Sequence, residues 1–378
     1  MISWKFRTPG CLPIGLDIGH NCLKAIQLVA GSGHISVLAA DKVHISPDIN
    51  GDSSARRTFV ISVLKRMQAE GNFRGRDVVS CLPNDRLKMT SLRLAEAEGE
   101  NIEQVLRKEA AQRFGLDPDK DSINYLVAGS VQQGDETKSE LILFAADNEA
   151  IKSHIEMLEE ARLRPVAIDT IPCALFRSFE RSLRRQEDRE RTVVFVDVGS
   201  RFTTVVFGRG EEITFVKQIP IGGEEFNRRI AAKLGISVNE AEVLRGTLRM
   251  ERSASGLRMP CSASGNNEQQ IDASIRQVIV DEVGAVAEEL AREISLCFRY
   301  YTVTFRGKRV ERAVFSGGEA YESILLGVLK RQLAVEIEIA QPLKGFDLSR
   351  QTGINFDSDR RGLLCEWAVA VGLALKQA

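Results

Sequence analysis

Several features that identify common classes of protein are missing from this sequence. The seven cysteines are scattered and form no Cys-x-x-Cys pair, which argues against a disulfide framework or a zinc site and fits a reducing compartment. The four histidines do not cluster either. The formal net charge is -1, so the sequence lacks the basic excess that is typical of nucleic-acid-binding proteins.

Long apolar segments are also absent. No window approaches the roughly 20 uncharged apolar residues that span a bilayer, and no apolar stretch of signal-peptide length follows the basic N-terminal residues. We therefore expect a cytoplasmic protein that reaches a membrane only through a partner. Its 378 residues exceed what one hydrophobic core usually supports, so we expect several subdomains.

An internal repeat is the most informative feature that the sequence does contain. Residues 14–19 form an apolar segment that ends in Asp-x-Gly, and residues 194–199 repeat this pattern. Two further apolar segments, separated by glycines, follow each copy, which predicts two three-stranded antiparallel meanders. The repeat indicates a duplicated α/β fold with two similar lobes.

The segment between the two repeats predicts helices and a compact insert. Ser53 or Ser54 is expected to cap a helix that runs to about Glu70. Residues 87–161 alternate as strand, helix, strand, strand and helix, and the turn at residues 133–135 joins the two middle strands. This pattern predicts an α+β insert of subdomain size.

The segment after the second repeat predicts a mainly helical region followed by a strand and further helices. Ser237 is expected to cap a helix that ends at about Leu248. Residues 252–270 are rich in Ser, Gly and Asn and predict a mobile loop, and residues 271–301 predict a long amphipathic helix. A final helix is expected over residues 363–376.

The paired Asp-x-Gly turns have the chemistry of a triphosphate site. Triphosphate is bound by backbone N–H groups, a lysine and Mg²⁺. Asp17 and Asp197 are candidates to hold Mg²⁺ through water, because this ion keeps several waters and takes few carboxylates. A single Asp-x-Gly is usually a structural turn, whereas two in matching contexts favour a phosphate site. The remaining candidates at the two turns are Gly19, His20, Asn21, Cys22, Lys24, Gly199, Ser200, Thr203 and Thr204.

A third glycine turn follows an apolar strand near the C-terminal end of the sequence. Ser316, Gly317 and Gly318 stand between that strand and a helix, where glycines let a flat group pack on the backbone. The turn is either an adenine-stacking site or an ordinary connection between a strand and a helix.

These motifs resemble those of the actin, hexokinase and heat-shock chaperone ATPases. More closely, the sequence resembles the type IV pilus assembly protein PilM family, which is related to the division protein FtsA. The resemblance covers almost the whole chain, and the segments that carry it occur in the family's order. They are residues 15–19, 23–26, 79–83, 165–169, 219–226, 241–245 and 367–375.

The resemblance implies an actin-like (ribonuclease H-like) duplicated α/β fold with two lobes around a nucleotide cleft and an inserted α+β subdomain. The first lobe core would comprise residues 1–86 and 165–191, and the insert residues 87–164. The second lobe core would comprise residues 192–235 and 308–378, and its accessory subdomain residues 236–307.

The resemblance also implies ligands and a partner. ATP with Mg²⁺ would bind in the cleft, with Gly222 and Gly223 near the nucleotide, Glu242 on the ribose and Arg245 near the adenine. The cytoplasmic N-terminal peptide of an inner-membrane PilN-like protein would dock between the insert and the first lobe. The machine served would be a type IV pilus or a related secretion system, and self-association remains open.

This sequence departs from its relatives just after the first Asp-x-Gly. Relatives usually carry small hydroxyl residues there, whereas His20, Asn21 and Cys22 occupy these positions here. Hydrolysis needs a side chain that orients water, and the candidate is Asp169, which alternatively caps the helix that begins near Pro172. We therefore expect at most a slow ATPase.

Two other functions of the same superfamily stay open at this stage. A division protein like FtsA ends in an amphipathic membrane helix, and we expect none here because the last helix of the fold ends close to Ala378. A sugar kinase needs a carboxylate base and polar sugar-binding residues, and the sequence shows no clear set of them.

Overall fold

Thirteen strands form the framework of the part of the chain that the structure describes. The computed structural model describes residues 10–31, 34–95, 102–117, 120–133, 136–180, 191–255, 271–305, 309–348 and 364–376. The strands are β1 (Ile14–Ile18), β2 (Cys22–Ala30), β3 (Ile35–His44), β4 (Asp77–Cys81), β5 (Lys88–Ala95), β6 (Ser122–Gln133), β7 (Glu136–Ala146), β8 (Arg164–Asp169), β9 (Thr192–Val198), β10 (Thr203–Arg209), β11 (Glu212–Ile219), β12 (Val310–Ser316) and β13 (Glu336–Ile339).

Ten strands form two five-stranded sheets of the same topology. The first has the order β3-β2-β1-β4-β8 and the second the order β11-β10-β9-β12-β13. In each, the first three strands along the chain form an antiparallel meander, and the last two pair in parallel with it and with each other. The duplicated fold predicted from the Asp-x-Gly repeat is thereby confirmed.

Helices cover the sheets and connect them. Within the described residues they are α1 (Pro47–Asn50), α2 (Ser53–Glu70), α3 (Ile102–Phe114), α4 (Asn148–Glu160), α5 (Ile171–Glu180), α6 (Gly223–Leu234), α7 (Val238–Ser255), α8 (Ala273–Thr304), α9 (Ser323–Gln332) and α10 (Ala368–Ala374). None of the described helices is long and apolar enough to cross a membrane.

The helix caps differ in part from those expected. Asp52 caps α2, since its carboxylate accepts hydrogen bonds from the amides of Ser54 (2.8 Å) and Ala55 (3.1 Å). The prediction of Ser53 or Ser54 as the cap was wrong, because the acidic residue one position earlier satisfies those donors. The predicted cap of α7 is confirmed. Ser237 Oγ accepts from the Glu240 amide, and the Glu240 carboxylate accepts from the Ser237 amide, which is a capping box.

Several predicted boundaries were displaced. Helix α7 continues to Ser255 and thus includes the first part of the predicted loop, whereas residues 256–270 lie outside the described residues. The expected turn at residues 133–135 also lies largely outside them. The predicted final helix is a 3-10 turn at Cys365–Trp367 followed by α10.

Two helices cross at the junction of the lobes. Helix α10 packs on the first sheet through Val369, Ala370 and Leu373. Residues 308–378 were predicted to belong to the second lobe, but this last helix of the segment lies on the first lobe. At the crossing, a Cβ atom on Gly372 would come within 1.7 Å of the Ala174 carbonyl oxygen of α5. Only glycine lets these two backbones approach so closely.

The insert packs against the second lobe. Its sheet has the order β5-β7-β6, and Ala128, Ile142 and Phe144 join the hydrophobic core of the second lobe. Glu140, which is 1% exposed, accepts hydrogen bonds from Arg93 Nε (2.8 Å) and from the hydroxyl of Tyr300 on α8 (3.0 Å). The insert is thus joined to the second lobe by apolar contacts and by the hydrogen bond from Tyr300 to Glu140, whose ion pair with Arg93 lies within the insert.

Candidate functional site

A cavity of about 860 Å³ lies between the lobes, and both repeated turns line it. The turn from β1 to β2 contributes Asp17 and the residues after it, and the turn from β9 to β10 contributes Asp197 and the residues after it. The sequence candidates that line the cavity are Asp17, Gly19, His20, Asn21, Cys22, Lys24, Asp197, Gly199, Ser200, Glu242, Gly317 and Gly318.

The two turns have the same backbone geometry. The amide of Gly19 donates to the Cys22 carbonyl, and the amide of Gly199 donates to the Phe202 carbonyl, both at 3.0 Å. A Cβ atom would lie 2.9 Å from the Cys22 oxygen at Gly19 and 3.0 Å from the Phe202 oxygen at Gly199. The tight backbone path leaves little room for a Cβ atom at either position, which favours glycine in each turn.

Lys24 and Asp17 form a buried ion pair at one side of the cavity. Lys24 Nζ lies 2.9 Å from Asp17 Oδ2, and both side chains are about nine-tenths buried. Burial by itself lowers the pKa of Lys24, but the adjacent Asp17 carboxylate outweighs it and the pKa is raised. The amine is thus a fixed positive charge in the cavity.

Asp197 is the equivalent carboxylate of the second turn. Burial, and then the negative charge of Asp17, raise the pKa of Asp197 to about 6. Ser316 Oγ donates a hydrogen bond to its Oδ1 at 3.1 Å. This hydrogen bond therefore connects the third glycine turn to the turn from β9 to β10.

The third turn itself requires glycine. Gly317 has a φ of +91°, and a Cβ atom there would come within 2.3 Å of the Val198 carbonyl oxygen. Together with Gly318, Glu242, Arg249 and Tyr321, it lines the cavity. A flat group lying there would contact backbone without obstruction by a side chain.

Five sequence candidates in the second lobe do not line this cavity. Thr203 Oγ1 donates to the Ile221 carbonyl (2.7 Å), and the Gly223 amide donates to the Gly199 carbonyl (3.0 Å). Arg245 forms a buried ion pair at 2.6 Å with Glu319, and of the two only Glu319 lines the cavity. Arg249, one helical turn later, lines the cavity instead. The five are Thr203, Thr204, Gly222, Gly223 and Arg245.

Asp169, the candidate for orienting water, also lies away from the cavity wall. Its carboxylate is buried and pairs with Arg177 (2.9 Å) and Lys376 (3.3 Å). Its Oδ1 accepts from the amide of Thr170, and the Thr170 hydroxyl accepts from the Cys173 amide in α5. Through these contacts Asp169 joins α5 to the C-terminal segment, and it is not among the residues that line the cavity.

Several charged residues at the cavity were not predicted from the sequence, among them Arg56, Lys42, Glu366 and Arg201. Arg56 on α2 donates to the carbonyls of Gly19 (2.7 Å) and His20 (2.9 Å), which fixes the first turn. Lys42 pairs with Glu366 at 3.2 Å, and Arg201 follows the second Asp-x-Gly. Arg56, Lys42 and Glu366 are far in sequence from either motif, so only the fold brings them together.

Two observations indicate that the cavity suits a Mg²⁺-bound phosphate chain. Ser200 and Asn84 line it, and the buried hydroxyl of Ser200 and the buried side-chain amide oxygen Oδ1 of Asn84 have no hydrogen-bond partner among the described residues. Two carboxylates, Asp17 and Asp197, face the same cavity, and this arrangement suits a hydrated Mg²⁺.

The duplicated sheets, with one glycine turn from each on a shared cleft, define the actin-like class of proteins. Residues 15–254 match the family described as type IV pilus assembly protein PilM. The chain belongs to this family.

Solved structures support the same fold. The chain is similar to one described as a PilM-PilN type IV pilus biogenesis complex, with 22% sequence identity, a TM-score of 0.72, and coverage of 96% of this chain and 97% of that chain. It is also similar to the ethanolamine utilization protein EutJ from Carboxydothermus hydrogenoformans, with 14% identity, a TM-score of 0.53, and coverage of 98% and 90%.

Proposed function

We propose that this chain is a nucleotide-controlled scaffold of a type IV pilus or a related secretion machine. Its cleft binds ATP with Mg²⁺, and the nucleotide-bound form recruits a PilN-like partner. The observation that carries the nucleotide assignment is the pair of equivalent Asp-x-Gly turns on one cavity. Family membership and the similarity to a PilM-PilN complex support the partner.

Each part of the nucleotide has residues that suit it. Asp17 and Asp197 would hold the hydrated Mg²⁺, which supplies charge neutralisation for the phosphates, and Lys24 adds a positive charge beside them. The hydroxyl of Ser200 would donate to a phosphate oxygen. Glu242 and the turn at Gly317 would receive the ribose and the base.

The cleft has contacts that depend on how close the lobes are. Asn239 Nδ2 on α7 donates to Asp48 Oδ1 on α1 at 3.1 Å, and Asn84 Nδ2 donates to Thr204 Oγ1 at 3.3 Å. A ligand that bridges both lobes favours the closed arrangement only by its greater affinity for that state. Binding and closure suffice for a scaffold, and no hydrolytic step is required.

Partner recruitment would place the protein at the cytoplasmic face of the inner membrane. The partner's cytoplasmic N-terminal peptide would bind between the insert and the first lobe. Because the insert packs on the second lobe, a change in the angle between the lobes would alter that groove. Nucleotide and peptide would then affect each other's affinity to the same extent.

Ser200→Ala tests nucleotide binding. Its buried hydroxyl has no partner among the described residues, so the apo protein should lose no stability. With Mg²⁺ and ATP at about 100 times the dissociation constant, the wild type should gain about 2.7 kcal/mol, and Ser200→Ala clearly less. Thermal unfolding with and without EDTA measures both.

Ser91→Ala is the matched control, because Ser91 also has a buried hydroxyl without a partner among the described residues but lies in the insert, away from the cavity. It should leave the ATP shift unchanged. An absence of any Mg²⁺-dependent shift in the wild type would contradict the nucleotide assignment.

Calorimetry with a synthetic peptide of the partner's cytoplasmic N-terminus tests the coupling. Peptide affinity should differ between the ATP-bound and nucleotide-free protein by about 5- to 150-fold, the usual range of allosteric coupling. Equal peptide affinities with ATP, with ADP and without nucleotide would contradict the proposed coupling. The protein would then be a peptide-binding scaffold that does not respond to nucleotide.

A further inference from the structure

Two basic side chains that line the cavity, one from each of the opposite turns, converge on one carboxylate oxygen beside it. Glu224 Oε2 lies 3.9 Å from His20 Nε2 and 3.5 Å from Arg201 Nε. His20 belongs to the turn from β1 to β2, and Arg201 to the turn from β9 to β10. Both line the cavity, so this one carboxylate spans the two lobes at the place where the phosphate turns face each other.

Glu224 is positioned independently of these two contacts. It stands in the first turn of α6, where its amide donates to the Ser200 carbonyl at 2.7 Å. Its other carboxylate oxygen accepts from Arg228 at 3.2 Å. Arg228 does not line the cavity. The carboxylate therefore supplies an internal anion between the turns.

The surroundings are otherwise rich in positive charge. Arg56 donates its guanidinium to the carbonyls of the first turn, and Asp85 is a further acidic group at this place. Burial, then the nearby Arg201, lower the pKa of His20, and Glu224 opposes this effect. The positive charges of Arg56 and Arg201, on facing lobes, repel each other, and an anion between the lobes opposes that repulsion.

We propose that His20 and Arg201 form a site for the terminal phosphate of a nucleoside triphosphate, in which that phosphate takes the place of the Glu224 carboxylate. This assignment rests on the proposed nucleotide function. Arginine binds phosphate oxygens in a planar, bidentate geometry. A diphosphate lacks the group that would span the two side chains, so the site distinguishes triphosphate from diphosphate.

Bound triphosphate and bound diphosphate would thereby have different effects on closure of the cleft. With a triphosphate, one ligand group contacts a side chain from each lobe and favours the closed cleft. With a diphosphate, Glu224 keeps its place between His20 and Arg201. His20, directly after the first Asp-x-Gly, and Arg201, two residues after the second, would thus determine specificity.

Arg201→Gln is the direct test, with dissociation constants measured by calorimetry in the presence of Mg²⁺ for a non-hydrolysable ATP analogue and for ADP. We expect Arg201→Gln to weaken binding of the analogue about tenfold or more and that of ADP by less than about threefold, because a charge-assisted hydrogen bond to one phosphate is lost. Arg228→Gln is the matched control. It removes the same charge and another contact to Glu224, but should change neither constant.

Glu224→Gln provides a second, opposite test. Removal of the competing carboxylate charge should tighten binding of the ATP analogue severalfold and leave ADP almost unchanged. Circular dichroism and thermal unfolding of each variant establish that it is folded.

Two outcomes would overturn the assignment in different ways. If Arg201→Gln weakens both nucleotides equally, or neither, the terminal-phosphate site is wrong while nucleotide binding stands. If the wild type binds neither nucleotide, the proposed function itself fails, and the terminal-phosphate site fails with it.

Discussion

Asp197 is the residue at which the needs of folding and of ligand binding conflict. Its carboxylate is partly buried beside Asp17, so its pKa is raised to about 6 from an ordinary value of 3.8. A group whose pKa is raised on folding stabilises the native state while protonated, and that contribution is lost as the pH rises through the folded pKa. Above pH 6 the charge that would attract Mg²⁺ therefore destabilises the protein without ligand.

Asp197→Asn should remove this conflict. Without nucleotide, the free energy of unfolding of the variant should increase relative to that of the wild type as the pH rises from about 4 to about 6. Above pH 6 it should remain higher by on the order of 2–3 kcal/mol, since one pKa unit corresponds to about 1.4 kcal/mol. Denaturant unfolding at several pH values measures the difference.

Ligand binding should respond in the opposite direction. Stabilisation by Mg²⁺ and ATP should be strong in the wild type above pH 6 and small in Asp197→Asn. Asp281→Asn, a change at an exposed site on α8, should alter neither property. A pH-independent difference in stability between wild type and Asp197→Asn would contradict the raised pKa.

At the scale of elements, the crossing of α5 and α10 depends on one glycine. Gly372 brings α10 against the Ala174 carbonyl, and Arg177 of α5 donates to the Gly372 carbonyl at 2.8 Å. Both partners at the closest point are backbone atoms, which cannot rotate away as a side chain can. The crossing also holds α10 on the first sheet, beside Gly15 of β1.

Gly372→Ala should therefore destabilise the protein strongly. The added Cβ atom requires the two helices to move apart, and we expect a loss of at least about 3 kcal/mol in the free energy of unfolding, at the upper end of overpacking effects. Gly327→Ala is the matched control. Gly327 lies in α9 and a Cβ atom there meets no atom within 4 Å, so alanine should stabilise by about 0.5–1 kcal/mol through helix propensity. A similar effect of both changes would mean that the crossing relaxes without cost.

The elements that the sequence predicted best are those with a local pattern. The alternation and glycine turns around residues 14–44 and 194–219 indicated both meanders, and the capping box at Ser237 was recognisable from two residues. Local pattern carries no information on partners that are distant in the chain. Thus Arg245 and Asp169 were candidates for the site because of their motifs. In the structure Arg245 forms an ion pair with Glu319, and Asp169 forms one with Arg177.

At the scale of the whole molecule, the insert packs against a different lobe from the one to which it is connected in sequence. It is connected in sequence to β4 and β8 of the first sheet, yet its apolar face belongs to the core of the second lobe. The contact includes a buried network in which Arg93 reaches both Glu140 and the hydroxyl of Thr304 on α8. Any rotation of one lobe against the other should therefore move the insert with the second lobe.

Glu140→Ala should weaken this attachment. Removal of the carboxylate leaves the guanidinium of Arg93 and the hydroxyl of Tyr300 without their shared acceptor, and we expect a cost of about 2–3 kcal/mol because the group removed is buried and charged. Glu109→Ala is the matched control in the same insert. Glu109 also pairs with an arginine, Arg113 at 2.7 Å, but within α3 and at the surface, where such a pair contributes about 0.5 kcal/mol or less.

Hydrogen exchange separates attachment from simple loss of stability. If the insert and the second lobe move as one body, Glu140→Ala should raise exchange in β5, β7 and the C-terminal part of α8 together, while β1 to β3 of the first sheet keep their protection. Glu109→Ala should raise exchange in α3 alone. A uniform increase across both lobes in Glu140→Ala would show that the network contributes only to global stability, and the nucleotide would then need another route from the cleft to the groove beside the insert.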